Sequence, residues 1–187
     1  MDWSTLRATC GECRACGLAA TRQHVVFGCG PTDAKILFVG EGPGATEDEL
    51  GEPFVGRAGK LLDLVMDTVG LSRDKNVYIA NMVKCRPPGN RDPLPEEQDA
   101  CLHWLNEQME LLQPAIVVCL GRVAACRLLS PDFKVTRQHG EFTQRDGVWW
   151  MGTLHPAAVL RNPLQKEDWF RDFVALRQKA RDVGMDL

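Results

Sequence analysis

The chemistry this chain can do is concentrated in three sets of residues. The first is cysteine: residues 10–16, CGECRAC, hold Cys10, Cys13 and Cys16 as two overlapping C-x2-C pairs. One pair of thiolates cannot complete a four-ligand metal site, so further ligands must come from elsewhere. Cys85 lies in a proline-rich loop. Cys101 shares a helix face with Leu102, Leu105, Met109 and Leu112, where it is either core or a ligand facing the Cys85 loop. Cys119 and Cys126 sit among apolar neighbours and read as small hydrophobes, and Cys29, between Gly28 and Gly30, as a turn residue. The second set is polar residues placed directly after short apolar runs: Glu41-Gly42-Pro43-Gly44, Asn81 and His155. The third is the bases Lys84, Arg86 and Arg91 in residues 82–95, a segment too rich in proline for regular structure and suited to phosphate contacts.

Composition narrows the options. A chain of 187 residues with no long apolar span fits one domain, residues 1–187, with a core of useful size and no membrane segment. The start, MDWSTLRATC, has neither a basic nor an apolar leader region, which predicts a cytoplasmic location. Eight cysteines in a reducing compartment then favour metal or redox chemistry over disulfides. A formal net charge of −3 argues against a protein that coats nucleic acid nonspecifically and leaves room only for a local basic patch.

The elements that must position these groups can be read from periodicity. Residues 36–39, 77–80 and 115–120 are short apolar runs with the pattern of strands buried on both faces. A fourth strand, 148–154, is the second arm of a hairpin within the alternating segment 135–152, turned at Asp146-Gly147. Helical spacing marks residues 60–69, 95–111, 122–129 and 165–183. Strands separated by helices predict an α/β fold, a mostly parallel sheet with helices on both faces, whose ligands bind outside the carboxyl ends of the strands. Glu41-Gly42, Asn81 and His155 each follow such a strand. A carboxylate, a primary amide, an imidazole and bare backbone amides suit a flat, neutral, hydrogen-bonding heterocycle, and Phe54 can supply a stacking face. Glu41, Glu47, Asp48, Glu49 and Glu52 form an acidic rim unsuited to a phosphate cradle.

These motifs together resemble the family 4 uracil-DNA glycosylases. They are Gly40-Glu-Gly-Pro-Gly44 with Glu47, Pro53-Phe-Val-Gly-Arg-Ala-Gly59, Asn81-x-x-Lys-Cys-Arg-Pro-Pro88, Leu94-Pro-x-Glu97 and His155-Pro-Ala-x-x-Leu-Arg161. The resemblance spans about residues 13–163. It implies a three-layer α/β/α sandwich around a four-stranded, mainly parallel sheet. It also implies a [4Fe-4S] cluster on Cys13, Cys16, Cys85 and Cys101, with Leu18 marking Cys16 as the second ligand and leaving Cys10 outside. Zinc on the same four ligands is the competing reading.

The implied activity is release of free uracil from DNA, leaving an abasic site, by a monomer whose partner is uracil-containing DNA. In that scheme Glu41, Gly42, Pro43, Phe54, Asn81 and His155 hold the base. Phe54 stacks on it, Asn81 reads uracil O4 and N3–H, and His155 with the Glu41-Gly42 amides stabilises charge on O2. Lys84, Arg86, Arg91, Leu160 and Arg161 contact DNA, with Val159, Leu160 and Arg161 as candidates to fill the vacated stack. Gly42 stands where other families place a water-positioning aspartate, so Glu47 and Glu41 are the candidates for that role, Glu47 first. The alternatives are a preference for another deaminated base, an iron–sulfur electron carrier, or a catalytically idle iron–sulfur DNA-binding module.

Overall fold

A computed structural model describes all 187 residues. The sheet has five strands: β1 (Ile36–Gly40), β2 (Val77–Asn81), β3 (Ile116–Leu120), β4 (Phe142–Arg145) and β5 (Val148–Thr153), in the order β2-β1-β3-β5-β4. The first three and β5 run parallel, and β4 pairs antiparallel with β5. The α/β reading is therefore right and the strand count is one short, because the first arm of the hairpin joins the sheet as an edge. Its turn has positive φ at both Asp146 (50°) and Gly147 (81°), the geometry that matches strand twist in a two-residue hairpin. The segment before it begins as a short helix, α6 (Val135–Gln138), and not as a strand.

The other helices are α1 (Trp3–Gly11), α2 (Ala45–Leu50), α3 (Arg57–Thr68), α4 (Pro95–Leu112), α5 (Arg122–Leu128), α7 (Pro156–Arg161) and α8 (Lys166–Asp182). Strands β1, β2 and β3 are buried at every position, which is why they read as unbroken apolar runs. Alternate residues serve two cores. Ile36, Phe38, Ile116 and Val118 pack with α3, α7 and α8 through Leu62, Met66, Val159, Trp169 and Phe173. Leu37, Val39, Val117 and Cys119 face α4 and α5 through Leu105, Leu112, Ala124 and Ala125. Phe38 stacks on Phe173 at 5.9 Å, and Phe38→Ala should cost about 3–5 kcal/mol by opening a cavity there.

Two features beyond the sheet matter for the site. Cys29, expected in a plain turn, exchanges both backbone hydrogen bonds with Ile79 and so covers the β2 edge. The acidic rim is partly structural: Asp48 is buried and its Oδ1 accepts from the amides of Gln23 (2.8 Å) and His24 (3.3 Å).

Candidate active site

A cleft of about 690 Å³ opens over the carboxyl ends of the parallel strands, a size suited to a base and its sugar. Glu41, Gly42, Pro43, Glu47, Phe54, Asn81 and His155 all line it. Their convergence follows from topology, since β1, β2 and β5 run the same way and each brings a polar residue to the same end: Glu41 just after β1, Asn81 as the last residue of β2 and His155 two residues beyond β5.

Asn81 is 1% exposed, and its Oδ1 has no hydrogen-bond partner. A buried acceptor left unpaired costs roughly 1–3 kcal/mol, so this atom awaits a donor. Gly40 makes the arrangement possible: a Cβ there would lie 2.5 Å from both Asn81 Oδ1 and Phe54 Cζ. Phe54 is buried, its ring centroid 5.6 Å from that of His155. At His155, Nδ1 accepts from the amide of Ala157 at 3.1 Å and caps α7. Burial, and then the nearby Arg161 charge, bring its pKa down to about 4. The neutral ring therefore carries its proton on Nε2, the nitrogen free to donate.

The two candidate carboxylates have different surroundings. Glu47 Oε2 accepts from the amide of Gly56 at 3.0 Å, at the start of α3, which anchors the carboxylate at the cleft. Glu41 is raised to about 7 by burial and by its hydrogen-bonded neighbour Asp92, whose Oδ2 also accepts from Arg122 at 2.5 Å. Asp92 and Arg122 line the cleft and were missed in the sequence. The signal was present, since Gly121-Arg122 directly follows β3, the one remaining parallel strand. Gly42 is hemmed in, as a Cβ there would meet Val83 Cγ2 at 2.8 Å, so an aspartate at this position would need the backbone or Val83 to move.

The expected DNA contacts divide. Lys84 is a correction: it is 1% exposed, with Nζ donating to the Asn81 carbonyl (3.1 Å) and Gln108 Oε1 (2.6 Å). Its loop packs onto α4, so the long stem runs inward, and burial lowers the ammonium to about 8. Arg91 reaches the cleft with its guanidinium paired to Glu97 at 2.6 Å. Arg86 donates from Nε to Asn90 Oδ1 at 2.7 Å. Arg161 and Arg57 line the cleft and are exposed. Val159 is fully buried and cannot fill a vacated stack, Leu160 is half-buried, and Leu164, just beyond α7, is 91% exposed.

The cysteines occupy a separate apolar cavity lined by Cys10, Cys13, Cys16, Cys85 and Cys101 with Leu18 and Trp104. The thiols share the cavity without closing into a coordination shell. Three of the four expected ligands already have an N–H donor at sulfur: Trp104 Nε1 to Cys13 (3.4 Å), the Lys84 amide to Cys101 (3.3 Å) and Arg22 to Cys85 (3.5 Å). Such donors suit sulfur atoms that carry negative charge as ligands. Burial pushes the Cys10 thiol up to about 12. Cys119 is buried in the α4–α5 core, as read from the sequence, and Cys126 is half-buried with its Sγ donating to the Phe133 carbonyl at 3.5 Å.

A family model described as the uracil DNA glycosylase superfamily matches residues 27–176. The chain is 46% identical over 170 residues to the type-4 uracil-DNA glycosylase of Archaeoglobus fulgidus, covering 87% of this chain and 85% of that protein. It is 44% identical over 158 residues to that of Thermotoga maritima, covering 81% and 79%. With that of Sulfurisphaera tokodaii the identity is 41% over 181 residues, covering 90% and 80%. The chain therefore belongs to the uracil DNA glycosylase superfamily and, within it, to the type-4 family.

Proposed function

We propose that this protein excises uracil from DNA, hydrolysing the N-glycosidic bond of a flipped-out nucleotide to leave free uracil and an abasic site. The carrying observation is the unpartnered, buried Asn81 Oδ1, which with the Phe54 ring crowds the bare Gly40 in a cleft that also holds His155. Uracil N3–H is the donor that acceptor lacks, and the Asn81 amide N–H2 complements uracil O4. Cytosine reverses both groups and would leave polar atoms unpaired. Phe54 stacks on the extruded ring.

As the bond breaks, negative charge moves onto uracil O2. A neutral His155 donating from Nε2, with the amides of the Glu41-Gly42 turn, stabilises that charge, and one such donor is worth about 10²–10³-fold in rate. Glu47, anchored by Gly56, positions the water that attacks the cation-like sugar. Arg57, Arg86 and Arg161 take phosphates, and the 160–164 segment, with exposed Leu164, fills the vacated stack. Cys13, Cys16, Cys85 and Cys101 hold a [4Fe-4S] cluster, which when bound ties the N-terminal segment to the 85 loop and α4. The reading includes a monomer working in the cytoplasm, where thiols stay reduced. No helix is long and apolar enough to cross a membrane.

Base release from oligonucleotides containing uracil, hypoxanthine or xanthine tests this reading, with Glu47→Gln and Glu41→Gln assayed under single turnover. Uracil should be released fastest and Glu47→Gln should be slowed by about 10²–10⁴-fold if it assists as a base. No release of any base would overturn the function. Full-rate Glu47→Gln would return the water to Glu41 or to the backbone.

A further inference from the structure

Phe54 is held in a backbone conformation that aromatic side chains seldom adopt, with φ at +51°. Its surroundings are cut to fit. A Cβ on Gly59 would lie 1.9 Å from the Phe54 carbonyl oxygen, and one on Gly40 would strike the ring. The group that grips this turn lies 19 residues further along, between α3 and β2. Arg73 donates from Nη1 to the Pro53 carbonyl at 2.7 Å and from Nη2 to the Phe54 carbonyl at 2.7 Å. Its Nε is fixed by Asp63 Oδ1 at 2.8 Å, and its side chain is 15% exposed.

Successive carbonyls of an extended chain point to opposite sides, so one planar guanidinium can take both only when the residue between them is turned. The Arg73 fork is therefore incompatible with an extended Phe54 and holds the residue in the turned, left-handed conformation it adopts. We propose that Arg73 is a positioning residue for catalysis, setting the Phe54 ring where it receives the extruded base. This rests on Phe54 being the stacking face described above. Arg73 itself does not line the cleft, so its effect on the base passes through Phe54.

The test measures inhibition by free uracil, single-turnover base release, affinity for uracil-free DNA and melting temperature in Arg73→Lys, Phe54→Leu and the double variant. Lysine keeps the charge and loses the fork. Each single variant should weaken free-uracil inhibition and base release by ~10-fold, within the range measured for losing one stacked base. DNA affinity should be unchanged, and the double variant should be no worse than Phe54→Leu alone, since both act on one contact. Multiplying losses in the double variant, or an Arg73→Lys protein that melts early yet binds uracil normally, would overturn the proposal. Phe54→Leu with full uracil affinity would instead overturn the stacking reading itself. If Arg73→Lys does not fold, Asp63→Ala replaces it: removing the acceptor of Nε at a half-exposed site should weaken uracil inhibition about twofold, and no change there counts against the fork.

Discussion

The cleft and the cysteine cavity share one short stretch of chain, residues 81–85, yet they are built in opposite ways. Asn81 ends β2 and faces the cleft, whereas Cys85, four residues later, faces the cavity. The cleft takes its groups from the ends of parallel strands, so the sheet that forms the core also aims them. The cavity draws on α1 and the turn after it, the 85 loop and α4, segments with no shared ladder and an apolar lining. Lys84 lies between the two, its amide on Cys101 sulfur and its ammonium on the Asn81 carbonyl. Replacing one of the four expected ligands in the cavity should therefore disturb folding, and substitutions in the cleft should disturb chemistry on an intact fold.

The largest expected effect tests the cavity. Cys85→Ser should lose iron and soluble protein together, while Cys10→Ser keeps both, as read by iron analysis and yield. Stoichiometric zinc in place of iron would revise the metal. Next is His155→Ala, which should slow single-turnover base release by about 10²–10³-fold. Stability should fall only by the loss of a helix cap, about 1 kcal/mol. A variant that simply unfolds would erase the contrast between the two regions. Asn81→Ala comes third, at about 10–100-fold in uracil release from the mismatch of its buried amide. Asn81→Asp should also weaken uracil release and admit some cytosine, detected as free base from cytosine-containing oligonucleotides.

The smallest effect is a slope. Glu41 is raised from 4.5 to about 7, by burial first and then by Asp92. Between those values the folded protein keeps a proton that the unfolded chain has lost. Stability should therefore fall as pH rises from about 4.5 to about 7 and level off above it. Glu41→Gln should flatten that slope, measured as melting temperature against pH for both proteins.

Much of this was legible in the sequence because parallel strands put their carboxyl ends together whatever the loops do. Once residues 36–39, 77–80 and 148–154 read as strands, Glu41, Asn81 and His155 had to meet. The misses share a different cause. Lys84 looked like a phosphate contact because a basic residue in a proline-rich loop faces water by default, and its burial is decided by Gln108, 24 residues away on α4. Asp48 looked like rim charge for the same reason, with its partners at Gln23 and His24. Helix α1 went unread because only Leu6 and Cys10 on it are buried, although Asp2 caps it through the Thr5 amide. At the β3 end, Gly121 between a strand and a helix reads as a plain break, and Arg122 as the first residue of that helix, so neither signals a cleft residue.

The way the sheet finishes has a consequence for how the protein behaves in a crowd. A strand with one side unpaired is a template on which another chain can grow. On the β2 side that template is taken by Cys29, laid so close that a Cβ on Gly30 would come within 2.3 Å of the Val77 carbonyl. On the other side β4 is four residues long and ends at Arg145, whose guanidinium lies 4.5 Å over the Trp150 ring, while Lys179 sits above Phe142 and Trp149. Cationic groups thus stand over the apolar rings of that short border. Edge-to-edge growth of the sheet from one copy to the next is thereby disfavoured on both sides.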